Sequence, residues 1–181
     1  RDVIPFLMEN AKHLRMDVTP LEKLVREHLD EARVRAGGMR LGVMTFRAPQ
    51  MQGVPMRLAD MAPGTLADWV IASASCFPIF PARIIDGQRY IDGGYYDNLP
   101  VDMALADGMD EVVAVELHPE YTHPEYARMP WLTTVRPLHG LGGFLDFNPD
   151  LLRRSRLLGY QDTMKRWGRL DGFRYAFRRV D

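Results

Sequence analysis

The hydrophobic period of this chain switches repeatedly between helical and extended spacing, and that alternation limits the folds open to it more than any other feature. Leu21, Leu24, Val25, His28, Leu29 and Ala32 recur at helical spacing. They follow Thr19-Pro20-Leu21-Glu22, a capping box with proline at the first helical position, and predict a helix over about 20–34. Gly37-Gly38 ends the pattern. Residues 39–46 then read as a strand, and 54–58 form a second extended piece beyond a turn-rich stretch, which makes the two candidate neighbours in a sheet. Thr65, with Asp68 three residues on, caps a helix whose body at 66–75 is nearly all small or apolar and therefore buried. Asp86-Gly87 separates extended segments at 82–85 and 88–91 and is the strongest short hairpin signal in the chain. Pro100 starts a short helix through Ala106 that Gly108 ends, and 111–117 is an apolar run of the kind found in a parallel sheet covered on both faces. A further strand is expected at 132–135. Asn148-Pro149 then leads a helix to about Trp167, with Leu151, Leu152, Leu158 and Met164 available to pack. Strands alternating with helices imply an α/β layered fold.

Bulk numbers narrow the function classes. With 181 residues, 46% hydrophobic and 26% charged, the chain falls in the range of one soluble domain with a real core. Lys and Arg total 23 against 24 Asp and Glu, so no overall field favours nucleic acid or an anionic membrane, and any lipid contact must be local. The single cysteine, Cys76, excludes an internal disulfide, no clustered Cys/His spacing supports a structural zinc, and a reducing compartment fits. No apolar run approaches the ~18 residues of a membrane-spanning helix, and residues 1–16 lack the ordered regions of a signal peptide. Arg1-Asp2-Val3-Ile4-Pro5 has no initiator methionine, and further sequence is expected to precede it.

The densest run of unusual residues is Tyr90-Ile91-Asp92-Gly93-Gly94-Tyr95-Tyr96-Asp97-Asn98-Leu99-Pro100, an apolar strand that ends in an acid and two glycines. Two glycines after an aspartate let the backbone turn sharply with positive φ and leave the carboxylate uncrowded. That suits an acid meeting a reacting group at a sheet's edge. A plain Asp-Gly turn is the alternative from spacing alone.

This segment resembles the second signature of the patatin family, an Asp-Gly-Gly or Asp-Gly-Ala box followed by Asn-x-Pro. The resemblance extends to Leu66-Ala67-Asp68-Trp69-Val70, to Ala72-Ser73-Ala74-Ser75-Cys76-Phe77-Pro78 with Phe80-Pro81, and downstream through Asp107-Gly108-Met109-Asp110-Glu111, Val135-Arg136-Pro137, Leu145-Asp146-Phe147-Asn148-Pro149 and Leu158-Gly159-Tyr160-Gln161-Asp162-Thr163. It implies a three-layer α/β fold, mostly parallel sheet with flanking helices and incomplete at its N-terminus. The chain would be the C-terminal portion of a single domain: a helical lead-in at 1–38, sheet and helices carrying the box at 39–167, and a basic tail at 168–181. The activity implied is that of a lipid acyl hydrolase of the phospholipase A or esterase type, which uses a Ser-Asp dyad and no cofactor or metal. Asp92 matches the family's aspartate, the general base. Gly93 and Gly94 would shape its turn, and Asn98 would brace it through side-chain hydrogen bonds. Neither G-x-S-x-G nor a Gly-Gly-Gly loop occurs in residues 1–181, so the serine is expected outside this chain, which alone would be inactive. Expected partners are a lipid or ester substrate, the N-terminal segment of the same domain and a transient membrane surface, but not nucleic acid. The expected location is cytoplasmic. The alternative from another class is a non-catalytic α/β module binding a lipid or protein. A nucleotide-binding domain is disfavoured, since no G-x-G-x-x-G or P-loop follows any strand.

Single residues carry rival readings. Ser73 and Ser75 fall in a helix end that the resemblance assigns to packing, and Ser155 on a polar helix face. His28 reads as a core residue, whereas His118, His123 and His139 are loop residues that only a metal would gather. Asp97 and Asp102 read as helix capping or, with Asp92, as a carboxylate cluster for a cation. Cys76 reads as a small buried hydrophobe rather than a reactive thiol. The eleven methionines, among them Met39, Met44, Met51, Met56 and Met61, fill core gaps or line an acyl pocket. Arg153, Arg154, Arg156, Lys165, Arg166, Arg169, Arg174, Arg178 and Arg179 make a solvated basic face or a contact for phosphate headgroups.

Overall fold

A computed structural model of the chain describes residues 16–48, 50–117, 126, 128–143, 146, 148–173 and 175–179. The chain divides into two compact units, Arg1–Met103 and Ala104–Asp181.

Among the described residues the first unit opens with α1 (Thr19–His28) and α2 (Glu31–Ala36) where a single helix was expected. Periodicity continues through residue 32, but Leu29 leaves the helical region at ψ 102°, and Asp30 adopts extended backbone so that its carboxylate accepts the Arg33 N–H at 3.0 Å. An aspartate whose side chain offers the backbone a competing bond starts a helix more readily than it continues one. The expected cap at Thr19 is also displaced. Thr19 lies inside the first turn and its N–H donates to the Asp17 carboxylate at 2.9 Å.

Four antiparallel strands form the sheet of this unit in the order β2-β1-β4-β3: β1 (Gly42–Arg47), β2 (Gln52–Arg57), β3 (Arg83–Ile85) and β4 (Gln88–Asp92). The β3–β4 hairpin turns at Asp86 and Gly87, with φ 49° and 74°, the pair of positive values that a tight two-residue turn demands. Against the sheet lies α3 (Leu66–Ser73), buried through Leu66, Trp69, Ile71 and Ala72. Its N-terminus is capped across the chain. Glu31 accepts the Gly64 N–H at 2.9 Å and the Leu66 N–H at 3.1 Å, while the Thr65 hydroxyl, expected to cap, donates back to the Ala62 carbonyl. Leu58, Met61, Leu66, Trp69, Ala72, Ile85 and Tyr90 form the main cluster, with the Trp69 and Tyr90 rings edge to face at 4.8 Å. Full burial of a side chain such as Leu66 stabilises the fold by about 1.5–3 kcal/mol. Ile91 joins Phe46, Ala48 and Phe77 in a second cluster, so successive residues of β4 are held by different clusters.

A short helix α4 (Val101–Ala106) spans the boundary between the units, and Gly108 follows it at φ 79°. In the second unit β5 (Val112–Val115) pairs in parallel with β6 (Leu132–Val135). The α/β class holds, and parallel pairing occurs here, whereas the four-stranded sheet of the first unit runs antiparallel because hairpins join β1 to β2 and β3 to β4. Cover on both faces of β5 does not hold among the described residues: Val113 and Val115 are 57% and 62% exposed, and only Ala114 is buried. The last long helix, α5 (Pro149–Arg166), starts where the sequence placed it. Asn148 caps it by accepting the Asp150 and Leu151 N–H groups at 2.8 and 3.3 Å. Leu152, expected to pack, is half exposed, and the one buried residue of α5 is Asp162, whose carboxylate accepts the Leu138 N–H at 3.1 Å. A hairpin of β7 (Leu170–Asp171) and β8 (Phe177–Arg178) closes the described chain. No helix among the described residues is long and apolar enough to cross a membrane.

Candidate active site

Asp92 is the last residue of β4 and stands opposite Thr45 of β1, a fully buried residue whose hydroxyl donates to the Val54 carbonyl at 3.0 Å. Three bonds fix its place. The Asp92 N–H donates to the Ser75 carbonyl at 2.9 Å, its carboxylate accepts the Gly94 N–H at 2.8 Å, and the 3₁₀ turn that follows, Gly93–Tyr95, returns the Tyr96 N–H to the Gly93 carbonyl. The carboxylate is partly buried, and among the described residues it carries no ion pair. Burial pushes its pKa above the ordinary 3.8, and the Gly94 N–H offsets only part of that rise.

The two glycines act differently from the sequence expectation. Neither has positive φ. Gly93 is required by close approach: a Cβ there would lie 2.2 Å from the Met44 carbonyl oxygen and 2.3 Å from its carbon, inside the backbone of β1. A Cβ at Gly94 would meet side chains only, the Asn98 amide oxygen at 3.0 Å and the Asp92 carboxylate at 3.2 Å. The Asn98 amide therefore lies over Gly94. Asp97 accepts the Leu99 N–H at 2.9 Å just before α4. Among the described residues no group of three or more His, Cys, Asp and Glu is arranged to hold a metal.

Tyr95 and Cys76 stand near Asp92, a grouping that the sequence reading did not make. The Tyr95 hydroxyl donates to the Phe77 carbonyl, next to Cys76 in the chain. Burial first, and then the nearby charge of Asp92, raises the Cys76 pKa against the lowering effect of Tyr95; burial also raises that of Tyr95. Both neighbours of Asp92 are thus held neutral near pH 7. The available signal was a tyrosine three residues after the acid, adjacent in the 3₁₀ turn.

The three serines are committed elsewhere. Ser73 donates to the Met44 carbonyl at 2.8 Å, Ser75 to Ile71 at 2.8 Å and Ser155 to Leu141 at 3.3 Å. His28 is exposed rather than core, because none of the described residues covers that face of the end of α1; its Nδ1 lies 3.0 Å from the Leu24 carbonyl. The His139 and Phe173 rings meet at 4.6 Å, tilted by 45°, while His118 and His123 lie outside the described residues. Met44 and Met61 are core, whereas Met39 and Met51 are exposed. A cavity of about 30 Å³ lined by Val18, Leu21, Ile71, Ser75 and Phe80 has room for a water, not an acyl chain.

A family model described as patatin-like phospholipase matches residues 10–105, just over half of the chain, and so spans Asp92 and the sheet that carries it. No curated protein matches the chain.

Proposed function

The chain belongs to the patatin-like phospholipase family, and from that premise we propose that Asp92 is the general base of a Ser-Asp dyad that hydrolyses lipid acyl esters. The observation that carries the reading is the state of its carboxylate: partly buried at a strand end, held by one backbone N–H and raised in pKa by burial, with no cation neutralising it among the described residues. A carboxylate so placed is a stronger base than a solvated one and keeps a lone pair for an incoming hydroxyl.

We place the serine outside these 181 residues, a reading supported by the absence of G-x-S-x-G from them and by the bonds of all three serines present to backbone carbonyls. In the reaction its hydroxyl proton passes to Asp92 as the oxygen bonds to the acyl carbon. The tetrahedral adduct then collapses, and Asp92 returns the proton to the departing alcohol. Water cleaves the acyl-serine by the same path: Asp92 takes its proton and gives it back to the serine. Tyr95 and Cys76 stay protonated, so neither adds a negative charge that would compete with ionisation of the base near neutral pH.

The test is Asp92→Asn in protein joined to its serine-bearing segment. Hydrolysis of a soluble p-nitrophenyl ester falls by a factor on the order of 100 to 10,000, as loss of a general base requires, with far-UV circular dichroism unchanged. Activity within tenfold of wild type refutes the assignment, and ester hydrolysis by the 181-residue chain alone refutes the external serine.

A further inference from the structure

The whole chain is nearly neutral, but its charge is unevenly distributed. Residues 165–179 hold six Lys and Arg against the single acid Asp171, a net +5, so the other 166 residues carry −6. In the same stretch four large rings are exposed: Trp167, Phe173, Tyr175 and Phe177. Tyr175 is 82% exposed and Phe177 58%. The β7–β8 hairpin sets this pattern. Gly172 turns at φ 96°, and a Cβ there would lie 2.0 Å from the Tyr175 carbonyl, so the reversal is tight and carries Phe173 and Tyr175 on its connection. The connection is tied back to its own unit through His139, whose Nε2 is 2.9 Å from the Phe173 carbonyl. Arg166, Arg169 and Arg178 are exposed and have no ion pair among the described residues. Arg179 has only a distant one, 3.9 Å to Asp171.

We propose that this hairpin and the adjoining end of α5 form a docking surface for an anionic lipid bilayer. Tyrosine and tryptophan combine an apolar ring with a polar edge and settle at the boundary between headgroups and acyl chains. Arginine binds phosphate through a fixed fork of donors and is drawn to a negative surface by about 1 kcal/mol per charge. A solvated basic face alone would not place four exposed rings among its arginines. The proposal rests on the reading that the family's substrates are lipid esters, which reside at such a surface.

Vesicle flotation of the full chain tests this without using catalysis. Wild type should float with phosphatidylcholine vesicles containing phosphatidylglycerol at least tenfold more than with pure phosphatidylcholine, and less as salt rises. Arg169→Gln with Arg178→Gln should weaken partitioning roughly 30-fold. Tyr175→Ala with Phe177→Ala should weaken it roughly tenfold or more. Tyr175→Trp with Phe177→Trp should retain binding and shift the tryptophan emission to the blue on adding vesicles, which separates lost insertion from a collapsed hairpin. Equal flotation with both vesicle types, full binding by the Ala pair, or binding to a single-stranded oligonucleotide in place of vesicles overturns the proposal. Hydrolysis of a soluble ester reads the dyad separately, so failure of either idea is recognisable by itself.

Discussion

Gly93→Ala and Gly94→Ala are the same substitution at neighbouring positions of one motif, and the structure assigns them opposite outcomes. At Gly93 the new Cβ falls 2.2 Å from the Met44 oxygen, more than 1 Å inside the ~3.5 Å of ordinary contact. Neither party can yield cheaply. Met44 is buried in β1, paired with Pro55 of β2, and its carbonyl receives the Ser73 hydroxyl at 2.8 Å. Relief requires the 3₁₀ turn to leave the sheet, and overpacking of this kind costs about 3 kcal/mol, the upper end of its usual range. At Gly94 the nearest atoms, at 3.0 and 3.2 Å, belong to the Asn98 and Asp92 side chains, which can rotate by a few tenths of an ångström. The small strain there is offset by the ~0.4–1 kcal/mol that alanine contributes by restricting the unfolded chain. Urea unfolding followed on Trp69, with Trp131 and Trp167 replaced by Phe, reads this unit. With a slope of about 2 kcal/mol/M the midpoint falls by about 1.5 M for Gly93→Ala and stays within ~0.3 M for Gly94→Ala. A Gly93→Ala midpoint within ~0.3 M of wild type refutes the close-approach reasoning.

Glu31→Gln should cost about 1–2 kcal/mol, because it weakens the cap that accepts the Gly64 and Leu66 N–H groups and the ion pair to Arg35 at 2.7 Å. Burial alone would raise the Glu31 pKa, but those bonds hold it below the usual 4.5, so its contribution is complete above 4.5 and lost as pH falls through the depressed folded value. Urea midpoints of wild type and Glu31→Gln should therefore diverge at pH 6 and converge in acid; a constant gap contradicts the cap. Asp92 has the opposite sign. Burial raises its folded pKa above 3.8, so its favourable contribution is complete below 3.8 and lost as pH rises through the folded value. Asp92→Asn should accordingly raise the urea midpoint near neutral pH and leave it unchanged at pH 3. Destabilisation at pH 7 would show that the ionised carboxylate supports the fold rather than being tolerated for function.

What the sequence made legible is what neighbouring residues decide among themselves. Asp86-Gly87 announces its turn because positive φ at both positions is a requirement that few residue pairs meet, and Asn148-Pro149 announces α5 because cap and first turn are adjacent. The misreadings arise where a distant residue outbids a local signal. Thr65 had the sequence of a cap, but Glu31, more than thirty positions earlier, offers two carboxylate oxygens where Thr65 offers one hydroxyl. His28 had the spacing of a core position, yet spacing cannot say whether anything packs on that face. The site divides along the same line. An acid at the end of an apolar strand is visible in the sequence, and Asp92 is where that pattern put it. The reason for two glycines beside it is not visible, because the atom that forbids a side chain at Gly93 belongs to Met44, half the first unit away along the chain. Gly93 is therefore a packing residue within the proposed catalytic motif. Its substitution should displace the acid through the fold, whereas substitution of Gly94 acts on the carboxylate directly, and the motif's two halves answer to different physics.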